Sequence, residues 1–315
     1  MNMTPERPIL IAGFGSIGRR HLRNLKALGH KNFVLYRTGK STLPDDEIKD
    51  IPTEYDLDKA LAYKPVATII ANPTALHMPV ALAAAKVGSH LFLEKPVSHN
   101  LEGVEELCRL VQDQDLKVSV GFQFRFHPLL QQMKHLLEKN VIGPIVSVSA
   151  HKSEYLPEWH PWEDYHQSYS AKVELGGGVI LTQCHPFDYL RYLLGEVESV
   201  SAVQSQSGGL GIDVEDNADV LLHFKSGVIG NVHLDYIQRP SEHFIRIVGQ
   251  KGEIYKQLDS DDFDRNEMFL DEMRHLLSCI NKNEQPLCTI KDGIAALQIL
   301  LAAKQSASEK RLIKL

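Results

Sequence analysis

A glycine-rich turn near the start of the chain constrains the possible fold more than any other feature. The apolar segment Ile9–Ala12 leads into the sequence G-F-G-S-I-G at residues 13–18, and a helical pattern follows over residues 17–28. In a G-x-G-x-x-G turn between a strand and a helix, the first glycine permits the tight turn. The second lets the backbone approach a diphosphate, and the third lets the helix pack on the sheet. This context predicts a dinucleotide-binding fold.

The start of the predicted helix is expected to hold the anionic part of the ligand. The first N–H groups of a helix have no partner within it, and the helix dipole places partial positive charge there. The residues predicted to contact the dinucleotide in this turn are Gly13, Gly15, Ser16, Ile17 and Gly18. Further along the same helix, the leucines are expected to face the interior, and His21, Arg23 and Asn24 to face solvent.

Strand-like and helix-like patterns alternate as far as residue 122. Short apolar runs typical of buried strands occur at residues 9–12, 33–36, 66–71, 91–93 and 118–122. Helical stretches lie between them, at residues 17–28, 57–61, 78–87 and 101–112. Right-handed crossovers between such strands produce a parallel sheet. We therefore predict an α/β Rossmann domain over residues 1–123.

A different pattern begins after Phe124 and predicts a second domain over residues 124–315. A strand is expected at residues 145–151, and strands with a two-residue alternation at 197–204, 218–224, 228–236, 244–248 and 253–257. Helices are expected at residues 129–138, after the glycines 176–178, and at 268–280 and 293–308. These elements predict an α+β domain with an open-faced, mostly antiparallel sheet. The C-terminal helix is a candidate to pack back on the first domain.

Charge and composition narrow the class of partner. The formal net charge of −6 gives no reason to expect a nucleic acid or an anionic membrane as the main partner. The cysteines form no C-x-x-C pair, so neither a disulfide framework nor a zinc ribbon is expected. No apolar run reaches the roughly 18–20 residues needed to cross a bilayer. We expect a cytoplasmic enzyme with no metal site.

The residues after the second strand suggest which dinucleotide is bound. An NAD site commonly has an acidic residue here for the ribose 2′-OH. This chain instead has the sequence R-T-G-K-S at residues 37–41. Arg37 and Thr38, with Lys40 and Ser41, are suited to a 2′-phosphate. We therefore expect NADP in preference to NAD, although an NAD site without the acidic residue stays open.

A series of further motifs resembles the glucose–fructose oxidoreductase / inositol dehydrogenase family, known as the Gfo/Idh/MocA family. The motifs are N-P-T-A-L-H at residues 72–77, E-K-P at 94–96, R-F-H-P at 125–128, G-G-G at 176–178 and H-P-F-D at 185–188. The resemblance covers nearly the whole chain, and E-K-P is its most specific element. It implies a Rossmann domain and a sheet domain that often mediates oligomers, here a homodimer or homotetramer.

The resemblance implies that Lys95 and His185 are the catalytic pair. Hydride transfer from an alcohol needs a group that takes the hydroxyl proton, for which an imidazole is suited. It also needs a group that stabilises the developing negative charge on oxygen, for which an ammonium is suited. The two roles can also be exchanged, because some relatives use the lysine as the acid or base.

The helix that carries His185 departs from the family pattern. Many relatives have an aspartate four residues before the histidine, and this chain has Leu181 there. Thr182 or Gln183 is a candidate to replace part of its function, and Asp188 is a candidate to orient the imidazole. Since Pro186 disfavours helical geometry at the preceding residue, we expect a kink or a helix restart at the histidine.

Several other residues are expected to contact cofactor or substrate. Asn72, Pro73, Thr74 and His77 follow the predicted strand 66–71 and are assigned to the cofactor, although His77 is equally suited to cap the next helix. Glu94 and Arg125 are assigned to the cofactor, Lys95 to both ligands, and Arg125, Thr182 and His185 to the substrate.

An aromatic loop is expected to contribute to substrate specificity. Tyr155, Trp159, Trp162, Tyr165 and Tyr169 include both tryptophans of the chain and alternate with polar side chains. Aromatic faces with polar edges suit the C–H faces and hydroxyls of a sugar ring. Trp159, Trp162 and Tyr165 are therefore assigned to the substrate. The loop is also suited to packing or to a subunit contact.

Together these features predict an NAD(P)-dependent oxidoreductase. It would transfer a hydride between nicotinamide and a carbinol or ketone of a sugar, a nucleotide sugar or a related polyol. Two alternatives stay open at this point. One is a reductase of a non-sugar compound, like biliverdin reductase, and the other is a regulator that binds the cofactor without turnover.

Overall fold

The computed structural model describes residues 7–39, 43–259 and 263–315. The chain divides into two compact units, one formed by Met1–Gln123 with Arg265–Ile294 and the other by Phe124–Asp264 with Ala295–Leu315. The assignment of cofactor to residues 1–123 and substrate to residues 124–315 stays a prediction. Lys40 and Ser41, which were predicted to bind a 2′-phosphate, lie outside the described residues.

The strands of the first unit form a parallel sheet, which confirms the predicted Rossmann-type fold. They are β1 (Ile9–Ala12), β2 (Phe33–Tyr36), β3 (Thr53–Glu54), β4 (Ala67–Ile70), β5 (His90–Leu93) and β6 (Val118–Val120). In the described part of the chain, their order is β3-β2-β1-β4-β5-β6, and every neighbouring pair is parallel. The carboxyl ends of all these strands therefore lie at one edge of the sheet.

The strands of the second unit form the predicted mostly antiparallel sheet. They are β7 (Ile145–Ser153), β8 (Val197–Ser205), β9 (Asn217–Phe224), β10 (Ile229–Asp235), β11 (Glu242–Gly249), β12 (Gly252–Gln257) and β13 (Ile313–Lys314). The order is β12-β11-β7-β10-β9-β8-β13. Among the described pairings, β7 with β10 is parallel and the others are antiparallel. The short strands β3 and β13 were not predicted.

The helices agree with most of the predicted stretches. They are α1 (Ser16–Ala27), α2 (Leu57–Ala62), α3 (His77–Lys86), α4 (Val104–Asp113), α5 (Pro128–Glu138), α6 (Val179–Thr182), α7 (His185–Leu194), α8 (Asn266–Lys282) and α9 (Ile290–Glu309). No helix in the described ranges is long and apolar enough to cross a membrane. All four cysteines are free thiols.

The helix α1 is covered by α8, which comes from the far end of the sequence. Leu22 and Leu25 of α1 belong to the same buried apolar cluster as Met273 and Leu276 of α8. This packing corrects the expectation that His21 and Asn24 face solvent, since they are 0% and 4% exposed. A helical wheel of α1 alone could not show a second apolar helix supplied by residues 266–282.

One face of the second sheet is covered by helices, and the other is open. Val148, Val220 and Val232 are buried on the covered face, where α6 packs against β9 and β10 and α7 packs against β7. Alternate residues point the opposite way, and there Leu221 and Ile229 are 51% and 59% exposed. We call this opposite side, which also carries His151, Asp219 and His233, the outer face.

Candidate active site

The glycine turn is tight on one side and open on the other. Gly13 has a φ of +95°, and a Cβ there would lie 2.5 Å from the backbone nitrogen of Asn72. A Cβ at Gly18 would lie 2.1 Å from the carbonyl oxygen of Gly13. At Gly15, by contrast, nothing in the described residues lies within 4 Å of such a Cβ. The open side is at the N-terminus of α1, where Ser16 and Ile17 begin the helix, so the turn fits the diphosphate of a dinucleotide.

This asymmetry predicts opposite effects for two alanine substitutions. Gly15→Ala should leave the melting temperature unchanged but weaken NADH binding roughly 10-fold or more, because the new methyl group occupies the space needed by the diphosphate. Gly18→Ala should destabilise the protein by about 1–3 kcal/mol, because its methyl group overlaps the turn. Thermal unfolding and fluorescence titration with NADH would measure the two effects. A stability loss for Gly15→Ala equal to that for Gly18→Ala would contradict this account.

Arg37 lies at the end of β2 but is already paired with a carboxylate. The side chain is 6% exposed, and Nη1 donates to Oδ1 of Asp45 at 2.7 Å. This hydrogen bond lowers the pKa of Asp45, so the carboxyl is ionised at neutral pH. Arg19 also donates to Oδ1 of Asp45, at 3.3 Å, and both guanidinium groups lie near the Phe14 ring. Nη1 of Arg37 is therefore already engaged by a carboxylate, and the contact of Arg37 with a 2′-phosphate stays a prediction. Thr38 is exposed.

His77 joins the segments that follow β4 and β5. Its two ring nitrogens each lie 2.9 Å from a carbonyl oxygen, one of Pro96 and the other of Asn72. The imidazole is 1% exposed, and burial lowers its pKa, which favours the neutral ring. A neutral ring donates to only one of these carbonyl oxygens at a time, so it is hydrogen-bonded to one strand-end segment and packs against the other. Its predicted cofactor contact stays a prediction.

The residues around His77 include an acceptor suited to a ligand. Asn72 Nδ2 donates to the carbonyl oxygen of Leu76 at 3.1 Å, whereas Asn72 Oδ1 is buried with no hydrogen-bond partner in the described part of the chain. Since buried polar atoms are normally hydrogen-bonded, this oxygen is suited to accept from a ribose hydroxyl. Pro73 is half-buried and Thr74 is buried.

Lys95 is the second residue after β5, and its backbone is anchored by the buried acid that precedes it. Its backbone N–H donates to Oε2 of Glu94 at 3.2 Å, and Oε1 of Glu94 lies 2.7 Å from Nε2 of the buried His21. Burial would raise the pKa of Glu94, but the hydrogen bond from His21 and the charge of Lys95 outweigh it, so the pKa is lowered. Glu94 is therefore an ionised support for Lys95. His21 belongs to this site, although sequence reasoning placed it in solvent.

The helix around His185 is interrupted as predicted. α6 ends at Thr182 and α7 begins at His185, with Pro186 in its first turn. The imidazole is 6% exposed and packs edge-on against Phe124, with ring centroids 4.9 Å apart. Leu181 is 3% exposed and lies in the core, where an ionised aspartate without a partner would be costly. The pairing of His185 with Lys95 stays a prediction.

Arg125 forms a buried ion pair with Asp188 of α7. Nη2 of Arg125 donates to Oδ1 at 2.7 Å and Nε donates to Oδ2 at 3.0 Å, with the two side chains 2% and 1% exposed. The guanidinium also lies 4.8 Å from the centroid of the Tyr192 ring. These contacts favour a structural role for Arg125 and a role for Asp188 as its partner. The predicted ligand contacts of Arg125 stay predictions.

Thr182 is held by protein contacts. Its hydroxyl donates to the carbonyl oxygen of Gly178 at 2.9 Å and is hydrogen-bonded to Tyr236. Burial raises the pKa of Tyr236 well above its ordinary value, so the phenol is neutral. The network fixes the short helix α6 to the strand end at Tyr236, and a substrate contact by Thr182 stays a prediction.

The aromatic loop encloses a small cavity of its own. Trp159, Tyr165 and Ser168 are among its lining residues, and the cavity has room for about one water molecule. Trp159 Nε1 and Ser168 Oγ are buried without a hydrogen-bond partner in the described ranges. Trp162 is 51% exposed, and the Tyr165 hydroxyl donates to the carbonyl oxygen of Leu210 at 2.9 Å. The substrate contacts of Trp159, Trp162 and Tyr165 stay predictions.

Comparisons with known proteins agree with this geometry. The profile of the oxidoreductase family with an NAD-binding Rossmann fold, Gfo/Idh/MocA, matches residues 7–122, and the profile of the Gfo/Idh/MocA C-terminal domain matches residues 130–255. The chain belongs to the Gfo/Idh/MocA family. It is therefore an NAD-binding oxidoreductase, which confirms the resemblance and the predicted type of reaction.

Curated and solved Gfo/Idh/MocA relatives match between three quarters and nearly all of the chain. The myo-inositol 2-dehydrogenase of Thermotoga maritima is 29% identical, with 97% of each chain covered. The scyllo-inositol 2-dehydrogenase (NAD(+)) of Bacillus subtilis is 28% identical over 76% of this chain and 75% of its own. The WlbA dehydrogenase of Bordetella pertussis, solved with NADH and UDP-GlcNAcA, shares the fold with a TM-score of 0.85 at 22% identity, covering 98% and 99% of the two chains.

Proposed function

We propose that this Gfo/Idh/MocA protein interconverts a secondary alcohol and a ketone on a cyclic polyol, a sugar or a nucleotide sugar, with NAD as cofactor. The observation that carries the proposal is the placement of Lys95 at the carboxyl end of β5, the same sheet edge at which β1 leads into the open glycine turn. Ligands of such sheets bind at this edge. The names of the inositol dehydrogenases and of the WlbA complex support the substrate class.

In this proposal, bound NAD supplies the hydride acceptor for alcohol oxidation. The Lys95 ammonium stabilises the substrate oxygen as it gains negative charge, and the His185 imidazole takes the hydroxyl proton. In the alternative assignment the two roles are exchanged, and Lys95 takes the hydroxyl proton. Glu94 supports Lys95 through its backbone N–H and its negative charge. The aromatic loop, Arg125 and Thr182 are retained as candidate substrate contacts.

The pair formed by Arg37 and Asp45 supports NAD in preference to NADP. A 2′-phosphate near Arg37 would have to compete with an ionised carboxylate that already holds the guanidinium at 2.7 Å. The same carboxylate would repel a phosphate group, whereas a neutral 2′-OH has no such cost. We therefore revise the expected preference for NADP. Asp45 lies eight residues beyond Arg37, so the sequence pattern at the end of β2 does not indicate this pairing.

Removal of the Asp45 charge should shift the cofactor preference. Asp45→Asn is expected to raise kcat/KM for NADP⁺ relative to NAD⁺ about 10-fold, because Arg37 is freed and the repulsion is lost. Steady-state kinetics with both cofactors would measure the ratio. Asp46→Asn is the matched control, since Asp46 is 77% exposed and pairs with Lys49. An unchanged ratio for Asp45→Asn, or an equal shift for Asp46→Asn, would contradict the proposed role.

The outer face of the second sheet is proposed as the surface for homo-oligomer formation. Val203, Leu221 and Ile229 are 68%, 51% and 59% exposed there. Exposed apolar side chains that cluster on one face are typical of protein–protein contacts. A dimer or tetramer, measured by light scattering, is the expected state, and a monomer at micromolar concentration would contradict it.

The reaction itself is tested with a substrate panel. Purified protein with NAD⁺ is expected to produce NADH absorbance with at least one member of a panel of inositols, free hexoses, acylated sugars and nucleotide sugars. The reverse reaction would use NADH with the corresponding ketones. Biliverdin serves as the non-sugar comparison. Tight binding of NADH without turnover on any panel member would contradict the proposed function.

A further inference from the structure

The outer face carries a cluster of histidine and carboxylate side chains that the redox chemistry does not use. β7 and β10 pair in parallel with His151 opposite His233 and Ser153 opposite Asp235. Alternate residues of a strand share one face, so the four side chains point to the same side of the sheet. The neighbouring strand β11 places Glu242 opposite Ser153. The sheet register itself therefore assembles the cluster.

The spacing of these side chains is close to that of a metal site. One ligand atom from each of His151, His233 and Asp235 lies within 4.8 Å of the other two. Nε2 of His233 is 3.2 Å from Oδ2 of Asp235, and Nε2 of His151 is 3.7 Å from Oε2 of Glu242. Two ligands of a tetrahedral zinc ion with bonds of about 2.0–2.1 Å are roughly 3.3 Å apart. Side-chain rotations that move the ligand atoms by about an ångström would bring them to the separation found around a bound zinc ion.

The surroundings of the cluster orient its members. Nδ1 of His233 lies 3.1 Å from Oδ1 of Asp219, an arrangement that directs Nε2 towards Oδ2 of Asp235, where a metal ion would replace the hydrogen bond between them. Oδ1 of Asp235 accepts from the backbone N–H groups of Ile237 and Gln238 at 2.7 and 2.8 Å, which leaves Oδ2 for the same purpose. The two imidazole rings stack with centroids 4.7 Å apart. The two candidate ligand atoms, Nε2 of His233 and Oδ2 of Asp235, thus belong to side chains whose orientation is set by other hydrogen bonds.

Charge also favours a cation. Within one chain, the side chains of His151, His233 and Asp235 are 18%, 26% and 10% exposed on the outer face. Three carboxylates, those of Asp219, Asp235 and Glu242, surround two histidines, and this excess of negative charge attracts a divalent ion. Imidazole with carboxylate is a donor set that suits zinc and related first-row metals.

We propose that His151, His233 and Asp235, with Glu242 as a fourth ligand, form a binding site for a divalent first-row metal such as Zn²⁺. Each of the three strands β7, β10 and β11 contributes at least one ligand. The bound ion would clamp these strands on the outer face and would take no part in hydride transfer. The site goes beyond the proposed redox function and does not depend on it.

Zinc binding to the full chain tests the proposal. After treatment with EDTA and dialysis, calorimetric titration with Zn²⁺ is expected to give one site per chain, with a dissociation constant on the order of 1 µM. His233→Gln and His151→Gln should each weaken this site at least about 10-fold. Zn²⁺ should raise the melting temperature of the native protein but not of these variants. Co²⁺ should give a d–d absorption band in the native protein that His233→Gln lacks.

His223→Gln is the matched control for adventitious binding. His223 lies on β9 with its side chain on the same face, is exposed, and pairs with Glu198. The His223→Gln variant should bind Zn²⁺ with the affinity of the native protein. Melting temperatures measured without metal show whether each variant is folded. Native-like affinity in both His151→Gln and His233→Gln, loss of the site in His223→Gln, or a native dissociation constant above about 1 mM would overturn the proposal.

Discussion

Replacement of Lys95 by methionine is expected to lower kcat about 10³-fold while the affinity for NADH stays within a few-fold of the native value. Methionine keeps most of the side-chain volume but removes the ammonium that would stabilise the substrate oxygen. The site is built to hold this residue, since Glu94 accepts from its backbone N–H and is in turn held by the buried His21. Steady-state turnover and NADH titration would measure the two quantities separately.

Lys86→Met is the matched control for this substitution. Lys86 is in the same unit and is 57% exposed, and its amine pairs with Glu106 at the surface. Its replacement should leave kcat within about 2-fold of the native value, because exposed ion pairs contribute little. Undiminished turnover in Lys95→Met would refute the catalytic role of Lys95. Equal losses in both variants would show a general effect of lost charge.

Arg125→Met is expected to destabilise the protein by about 3–5 kcal/mol, because it leaves the Asp188 carboxylate buried without its charge partner. The carboxylate is 1% exposed and accepts hydrogen bonds from the guanidinium. Asp188→Asn should have a smaller effect of the same sign. The double variant Arg125→Met, Asp188→Leu should regain much of the loss, because apolar pairs often replace buried ion pairs at little cost. Thermal unfolding of the native protein and of these three variants would measure the losses and the recovery.

Glu196→Gln provides the comparison for a solvent-exposed pair. Glu196 accepts from Arg191 of α7 at 2.7 Å but is 51% exposed, so its loss should cost no more than about 1 kcal/mol. If Arg125 instead acts only as a ligand contact, Arg125→Met would raise KM and leave the unfolding temperature unchanged. That outcome would contradict the structural role and restore the original assignment.

The local features of the fold could be predicted because the residues that cause each of them lie close together in the sequence. The glycine turn follows from backbone geometry at Gly13 and Gly18, and the helix break before His185 follows from Pro186. The two-residue alternation of β8 to β12 marks strands with one covered and one open face. Each of these signals extends over fewer than about ten residues, so no knowledge of distant contacts is needed.

The pairings within the site could not be predicted because their members are far apart in sequence. His21 and Glu94 are separated by 73 residues, and Arg125 and Asp188 by 63. A polar residue on a helix is normally placed in solvent unless a partner is known, which is why His21 was misplaced. The same limit applies to Arg37, whose partner Asp45 comes from the loop beyond β2. The sequence therefore indicates which side chains have suitable chemistry, but not which hydrogen-bond and ion-pair partners fix their positions.

The N-terminal unit cannot complete its core until the ribosome has made most of the chain. Leu22 and Leu25 share their apolar cluster with Met273 and Leu276, which belong to the segment Arg265–Ile294. A nascent or cloned fragment ending at Gln123 would leave this surface in water and be prone to aggregate. The strands β7 to β12, in contrast, lie within one continuous stretch. The unit that contains these strands is nevertheless completed last, because it also includes Ala295–Leu315, whose strand β13 pairs with β8.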